Sequence, residues 1–358
     1  MGTISADEGI STEELQLALR NSGMPLEALR WPITPLGLHY LLIHYDIPTV
    51  DVGDWRLELT GCVDRPMALS LDQLKQRETV TVPVTMECAG NGRARLQPRP
   101  VSQPWLTEAV GTASWTGTPL APLLREAGIR EQAVEVLFTG LDRGVEGGIP
   151  QAYERSLPLS DAVEAGAILC WGMGDAPLPP QHGFPLRLVV PGWYGMANVK
   201  WLQRITALDA PFSGYQQARG YRVRQSDDEP GEPVTRMLPR ALMLPPGVPD
   251  FLTRRRFVAP GTHQLEGRAW SGWGEIASVQ VSVDAAVTWD HAELGDAPGM
   301  HAWQGWSYTW RAGEPGDYEL VCRATDAAGN VQPLEPPWNT GGYANNAVQR
   351  TVVTVTEQ

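Results

Sequence analysis

Apolar and polar positions change their pattern along this chain. From Thr262 onward they fall into short segments bounded by turn residues: Gln264–Trp270, Ile276–Val283, Trp289–Leu294, Trp306–Arg311, Tyr318–Thr325 and Val348–Val355. In the second, Val279, Val281 and Val283 alternate with Gln280 and Ser282, the period of two of a half-buried strand. Strand number and spacing predict an all-β immunoglobulin-like sandwich over residues 259–358. Between 31 and 208 the chain instead mixes short apolar runs (Trp55–Leu59, Val134–Thr139, Ala167–Trp171, Leu186–Val190) with short helical stretches. Leu71–Arg77 follows Ser70 and Gln73 in capping-box register, and Leu120–Ala127 is stopped by Gly128. These features predict one α+β domain. Residues 1–30 read as an N-terminal arm whose helix begins where Ser11 and Glu14 stand in capping-box register ahead of Leu15, Leu17 and Leu19. Residues 209–258, with the polar stretch Arg222–Glu232 and the proline-dense Leu238–Pro249, read as a connector.

Charge and composition narrow the function classes. The 358 residues carry 28 Lys or Arg against 41 Asp or Glu, a formal charge of −13, which argues against nucleic acid or an acidic membrane surface as partner. With 42% apolar and 19% charged residues the chain can bury a large core. The 37 glycines and 31 prolines argue against a helical bundle and predict many loops and short strands. Trp is frequent, 14 against 5 Phe, so many indole N–H groups need partners. Cys62, Cys88, Cys170 and Cys322 are far apart and form none of the paired spacings of a zinc site, an iron–sulfur cluster or covalent haem, so free thiols and a reducing compartment are expected. The first residues carry neither a basic stretch nor an apolar stretch of signal-peptide length. No apolar run approaches the roughly 20 residues of a membrane span. A cytoplasmic location is the expectation, periplasmic only if a signal segment is missing from this sequence.

Two segments concentrate chemistry. Val84–Arg95 carries Cys88 at the end of an apolar strand, followed by Gly90 and Gly92 and then Arg93 and Arg95. A lone cysteine is usually a small core hydrophobe. Here the glycines allow close approach of a ligand and the arginines favour a thiolate, so Cys88 is a candidate metal ligand or nucleophile. The second segment runs from His182 through Arg187 to Lys200, an apolar strand flanked by cations with Gly192 and Gly195 between, suited to a polyanion such as phosphate. His44 is a further candidate, as is Asp142, whose plain reading is a turn former.

Glu87-Cys-Ala-Gly-Asn91, the His182-Gly-Phe-Pro-Leu-Arg187 segment and Val199-Lys-Trp201 together resemble the sulfite oxidase family of molybdenum enzymes. Ala269-Trp-Ser-Gly-Trp-Gly, Ser282–Trp289 and Asn330-Val-Gln-Pro resemble that family's immunoglobulin-like dimerisation domain. The resemblance implies an α+β molybdopterin-binding domain followed by an all-β sandwich, and a homodimer formed through the latter. It implies that Cys88 is the protein thiolate on a molybdenum held by one molybdopterin without an added nucleotide. It further implies that Leu42, Ile43, His44, Asp142, His182, Arg187, Asn198, Val199 and Lys200 bind the pterin and its phosphate. Arg93 matches an arginine near the substrate oxyanion.

Three positions depart from the sulfite-oxidising pattern. Leu42 and Gly341 stand where arginines are expected, and Trp171 takes the place of a catalytic tyrosine near the metal, trading a hydroxyl for an N–H donor. The expected function is oxygen-atom transfer, with oxidation of sulfite to sulfate as its default and a small oxyanion or sulfur compound as substrate. The electrons would pass to a separate acceptor, a soluble carrier or dioxygen. The alternatives are a molybdenum enzyme reducing a sulfoxide or N-oxide, and a cofactor-less immunoglobulin-like scaffold.

Overall fold

The computed structural model describes residues 9–357. Local sequence signals form the expected elements where the determinants lie within one turn. The helix Thr12–Arg20 starts at Ser11, whose hydroxyl accepts from Glu14 N while the Glu14 side chain accepts from Ser11 N. Ser70 and Gln73 cap Leu71–Lys75 in the same reciprocal way, and Gly128 ends Leu120–Ala127 in the left-handed conformation at φ 69°. No helix among the described residues is long and apolar enough to cross a membrane.

The α+β part holds two sheets. In one, Leu57–Gly61 and Leu202–Leu208 pair in parallel, flanked by Met67–Leu69 and by the long hairpin Glu135–Glu146 with Ile149–Pro158. In the other, Val80–Glu87, Val110–Pro119 and Ile168–Met173 are antiparallel neighbours, and Arg187–Val189 adds to the last. A sandwich of two sheets follows. Val279, Val281, Leu320, Cys322 and Val353 are buried between them, whereas Gln280 is only half-buried, as the alternation predicts.

The pattern misjudged three details. Ser282 is buried and Val283 half-buried, because the strand ends at Ser282, whose hydroxyl accepts from Ala286 N at 2.9 Å and fixes the turn. Trp289–Leu294 is not one strand. Asp290–His291 pairs in one sheet and Glu293–Leu294 in the other, so the segment crosses between them. Within the expected connector, Arg240–Met243 is a sandwich strand paired with Gly267–Trp270, and Arg256–Val258 pairs in parallel with Val353–Val355. All four cysteines are free.

The two parts are joined directly behind Cys88. Glu87, fully buried, lies 2.9 Å from Arg240 Nε, and accepts from Trp270 Nε1 at 2.9 Å and Asn91 Nδ2 at 3.0 Å. Arg240 also donates to the Asn345 carbonyl. From the sandwich's last loop Ala344 N donates to Ala89 O at 2.8 Å, and Asn345 Nδ2 to Gly92 O at 2.7 Å. Removing one partner of a buried ion pair leaves the other charge uncompensated, at a cost of about 3–5 kcal/mol. Arg240→Met should therefore lower unfolding stability by that amount in urea titration, and adding Glu87→Gln should recover part of it.

Candidate active site

Cys88 sits at the junction of two adjoining cavities. It is 7% exposed, at the end of Val80–Glu87, with its amide donating to Ala109 O at 2.9 Å and its carbonyl accepting from Asn91 N at 2.9 Å. Burial pushes the thiol pKa up, and the nearby Arg93 guanidinium only partly opposes it. The expectation of a thiolate favoured by two arginines is thus corrected: burial outweighs Arg93, and Arg95 is exposed and lines neither cavity. Coordination to a metal would supply what the arginines do not, since a bound thiol is deprotonated outright.

The inner cavity is rich in buried cations. Arg187, 4% exposed, donates through Nη1 to His182 O at 3.0 Å and through Nη2 to Asn198 O at 3.2 Å, and lies 4.7 Å above the Trp115 ring. Lys200 Nζ donates to the carbonyls of Leu42 at 2.7 Å and Gln181 at 3.0 Å. Neither forms an ion pair among the described residues. Asp142 brings the carboxylate of this cavity, with Oδ1 buried and unpartnered, as are His39 Nε2 and Arg187 Nε. The cations suppress one another. Burial, then Arg187, takes Lys200 down to about 7, and burial, then His39, Arg187 and Lys200, takes His182 down to about 2. Burial, opposed by Lys200 and His44, raises Asp142 to about 6.

Those properties are what a phosphate-tailed organic group with polar ring edges requires: concentrated positive charge, with unpartnered donors and acceptors on residues that line one cavity. Among the described residues no three His, Cys, Asp or Glu side chains converge as an amino-acid metal site. A metal at Cys88 would therefore take its remaining ligands from a cofactor. The residues present fit a molybdopterin carrying its own sulfur donors.

The outer cavity shares Cys88, Leu42 and His44 with the inner one and adds Arg93, Ile43, Trp105, Glu146 and Tyr343. Arg93 is 5% exposed, its Nε donates to Gly341 O at 2.9 Å, and its guanidinium lies 5.1 Å from the centre of the Tyr343 ring. A Cβ on Gly90 would come within 2.7 Å of that guanidinium, and one on Gly342, at φ 61°, within 2.6 Å of Arg93 Cγ. The two glycines are the gap into which Arg93 fits. Gly341, the position of an expected arginine, places its carbonyl rather than a cation on Arg93.

Nine of the expected cofactor and metal residues, with Arg93, line these cavities: Leu42, Ile43, His44, Cys88, Asp142, His182, Arg187, Asn198 and Lys200. Asn198 lines the inner cavity while its amide bonds Val190 N and Tyr194 O at 2.7 and 3.1 Å, so it shapes the loop. Val199 does not reach either cavity. Its side chain is fully buried in the main core and its carbonyl accepts from Leu188 N at 2.8 Å. Trp171, expected to be catalytic, is also absent from both cavities. Strand alternation turns Cys170 into the cluster containing Cys88, so Trp171 faces the other way against the main core. The aromatic side chains Tyr343 and Tyr221 line the outer cavity instead, their ring centres 5.1 Å apart at a tilt of 41°. Sequence reasoning missed both, along with Glu146 and His39. The signal available was the pair Gly341–Gly342 just before Tyr343, which marks a close approach.

Lys200 provides a stability test. Its pKa falls from 10.5 to about 7 on folding, so between these values the unfolded chain binds the extra proton and stability rises with pH. Stability of the cofactor-free protein should rise from pH 7 to pH 9 by at most about 1.4 kcal/mol per pH unit. Lys200→Met should flatten that slope in denaturant titrations at the two pH values.

Comparisons with known proteins bear on the family and the fold. Residues 44–216 match the family described as oxidoreductase molybdopterin binding domain, and residues 250–356 that described as Mo-co oxidoreductase dimerisation domain. The mitochondrial sulfite oxidase of Rattus norvegicus is 33% identical over 90% of this chain, which spans 62% of that relative's length. The sulfite oxidase of Gallus gallus is 35% identical over 89% of this chain and 72% of its own. The solved structure of the sulfane dehydrogenase SoxCD from Paracoccus pantotrophus superposes with a TM-score of 0.79 over 93% of this chain and 86% of that one, at 24% identity, a likeness of fold.

Proposed function

The chain belongs to the sulfite oxidase family of molybdopterin-dependent oxidoreductases, and we propose that it oxidises a small sulfur oxyanion by oxygen-atom transfer, with sulfite to sulfate as the parent reaction. The observation that carries this reading is the position of Cys88, a buried thiol between a cation-rich cavity and a second cavity containing a single arginine. When bound, the molybdenum cofactor supplies the two-electron redox change and the transferable oxygen. The chain's own residues do the rest. Cys88 would bind the metal as thiolate, a soft ligand for a soft site. Arg187 and Lys200 would hold the pterin phosphate, and His39, His182 and Asp142 its polar ring edges.

Arg93 orients the substrate oxyanion. Its Nε and part of Nη1 are engaged by the carbonyls of Gly341 and Gln103, which fixes the fork and leaves Nη2 for the ligand. The Tyr343 hydroxyl has no hydrogen-bond partner among the described residues, and burial, opposed by Arg93, raises its pKa. It therefore stays protonated and can donate to a substrate oxygen, the role expected at Trp171. Electrons leave to a separate carrier, and the sandwich domain forms a homodimer.

Elemental analysis of protein expressed with cofactor supply should find molybdenum, and sulfite should reduce ferricyanide in the same sample. Outer partners of metal sites are worth about 10–100-fold, and a direct ligand more, so Cys88→Ser should lower turnover by more than about 100-fold. Full activity in that variant would overturn the ligand assignment. Light scattering at micromolar concentration should give twice the chain mass, and a monomer would reject the dimer.

A further inference from the structure

The outer cavity holds charge of both signs. Besides Arg93 it is lined by Glu146, at the tip of the hairpin Glu135–Glu146 and Ile149–Pro158. The hairpin turns through Gly147 and Gly148, both at positive φ, and a Cβ on Gly147 would come within 2.6 Å of the Tyr215 ring, so the tip is held against that ring. Glu146 Oε2 is hydrogen-bonded with His44 Nε2 at 2.8 Å, the Tyr45 hydroxyl at 3.1 Å and Gln216 Nε2 at 2.5 Å. All three converge on one oxygen. Oε1 has no partner among the described residues, and the side chain remains 34% exposed. Burial would raise the Glu146 pKa, but the hydrogen bonds from His44, Gln216 and Tyr45 hold it below the usual carboxylate range, so the group is ionised at neutral pH.

Apolar side chains share the cavity with the two charges: Leu17, Leu42, Ile43, Trp105 and Val145. Its volume is about 260 Å³, shared between the metal group that Cys88 would hold and the substrate. A sulfite dianion would meet one guanidinium, an apolar Leu42 and a bare carboxylate oxygen. The site is matched instead by a molecule with an anionic head, a short carbon spacer and a cationic end.

Resting on the reading of Cys88 as the metal ligand of a sulfur-oxidising centre, we propose that the substrate is a small aminoalkane sulfinate, its sulfinate on Arg93 and its ammonium on Glu146 Oε1. The sulfinate keeps the sulfur lone pair that makes sulfite oxidisable while carrying one negative charge fewer than the dianion. The balanced step is R–SO2⁻ + H2O → R–SO3⁻ + 2 H⁺ + 2 e⁻. Sulfur gains one S–O bond, water provides the oxygen and loses both protons, and the two electrons reduce two equivalents of a one-electron metal-centred carrier, ferricyanide in the assay. Leu42 and Val145 pack the carbon spacer, and Glu146 acts as a specificity residue.

The test compares 2-aminoethanesulfinate with ethanesulfinate, which lacks only the ammonium. One charge-assisted hydrogen bond predicts a kcat/KM ratio of about tenfold or more for the molybdenum-loaded protein. In Glu146→Gln the ratio should fall toward one. A second readout needs no turnover: by calorimetry, the product 2-aminoethanesulfonate should bind wild-type protein about tenfold more tightly than ethanesulfonate. The wild-type ratios stand whether or not the variant folds. Equal efficiencies and affinities, or a ratio unchanged in Glu146→Gln, would overturn the proposal. Turnover of sulfite and ethanesulfinate without preference for the ammonium would sink this inference alone, whereas molybdenum-loaded protein inert toward every sulfur oxyanion would take the underlying reading down with it.

Discussion

A carboxylate and a guanidinium withdrawn completely from water, Glu87 with Arg240, determine how the two halves of this protein meet. Glu87 is the residue before Cys88, and Arg240 belongs to a strand of the sandwich, so the pair ties the position of the thiol to the second domain. Desolvating both charges is costly, and the geometry offsets it only because the remaining lone pairs and protons are used as well. Trp270 and Asn91 donate to Glu87, while the Asn345 carbonyl accepts from Arg240. The result is a polar knot at the junction, and its strict geometry suits a metal ligand that must not drift.

From that knot the active-site charges follow in two opposite regimes. In the inner cavity Arg187 and Lys200 form no ion pair among the described residues, and the cations lower one another's proton affinity, as Lys200 and His182 show. A folded chain bears such repulsion at a cost to its own stability, in return for a strong field toward an anion. In the outer cavity the charges are instead individually tethered. Arg93 is fixed by Gly341 O and the Tyr343 face, and Glu146 by three donors on one oxygen. Tethering keeps a cation and an anion in one small space without their collapsing onto each other.

Particular residues show how far the sequence could be read. The Cys88 segment and the His182–Lys200 segment each bring a thiol or cation together with the glycines and apolar strand that position it, so the chemistry was legible within a few residues. Arg93 was legible as a cation but not its setting, because the carbonyl it holds is 248 residues away. Trp171 was placed at the metal on resemblance, and the alternation of its own strand turned it to the opposite face. Arg240–Met243 read as connector because four residues cannot announce a strand whose partner lies almost thirty positions further on.

By itself the sequence determined the helix ends, the alternating strands of the sandwich and the thiol at the end of an apolar strand. Each depends on side chains within a turn or a pleat of one another, where spacing dictates contact. Only the tertiary structure decided which of two neighbouring residues faces the site and how far burial and like charges move the pKa values. It alone brought Glu146, Tyr343 and Arg93 around one cavity. Those outcomes depend on desolvation and on Coulomb interactions between groups remote in the chain, and neither quantity exists until the chain has closed around them.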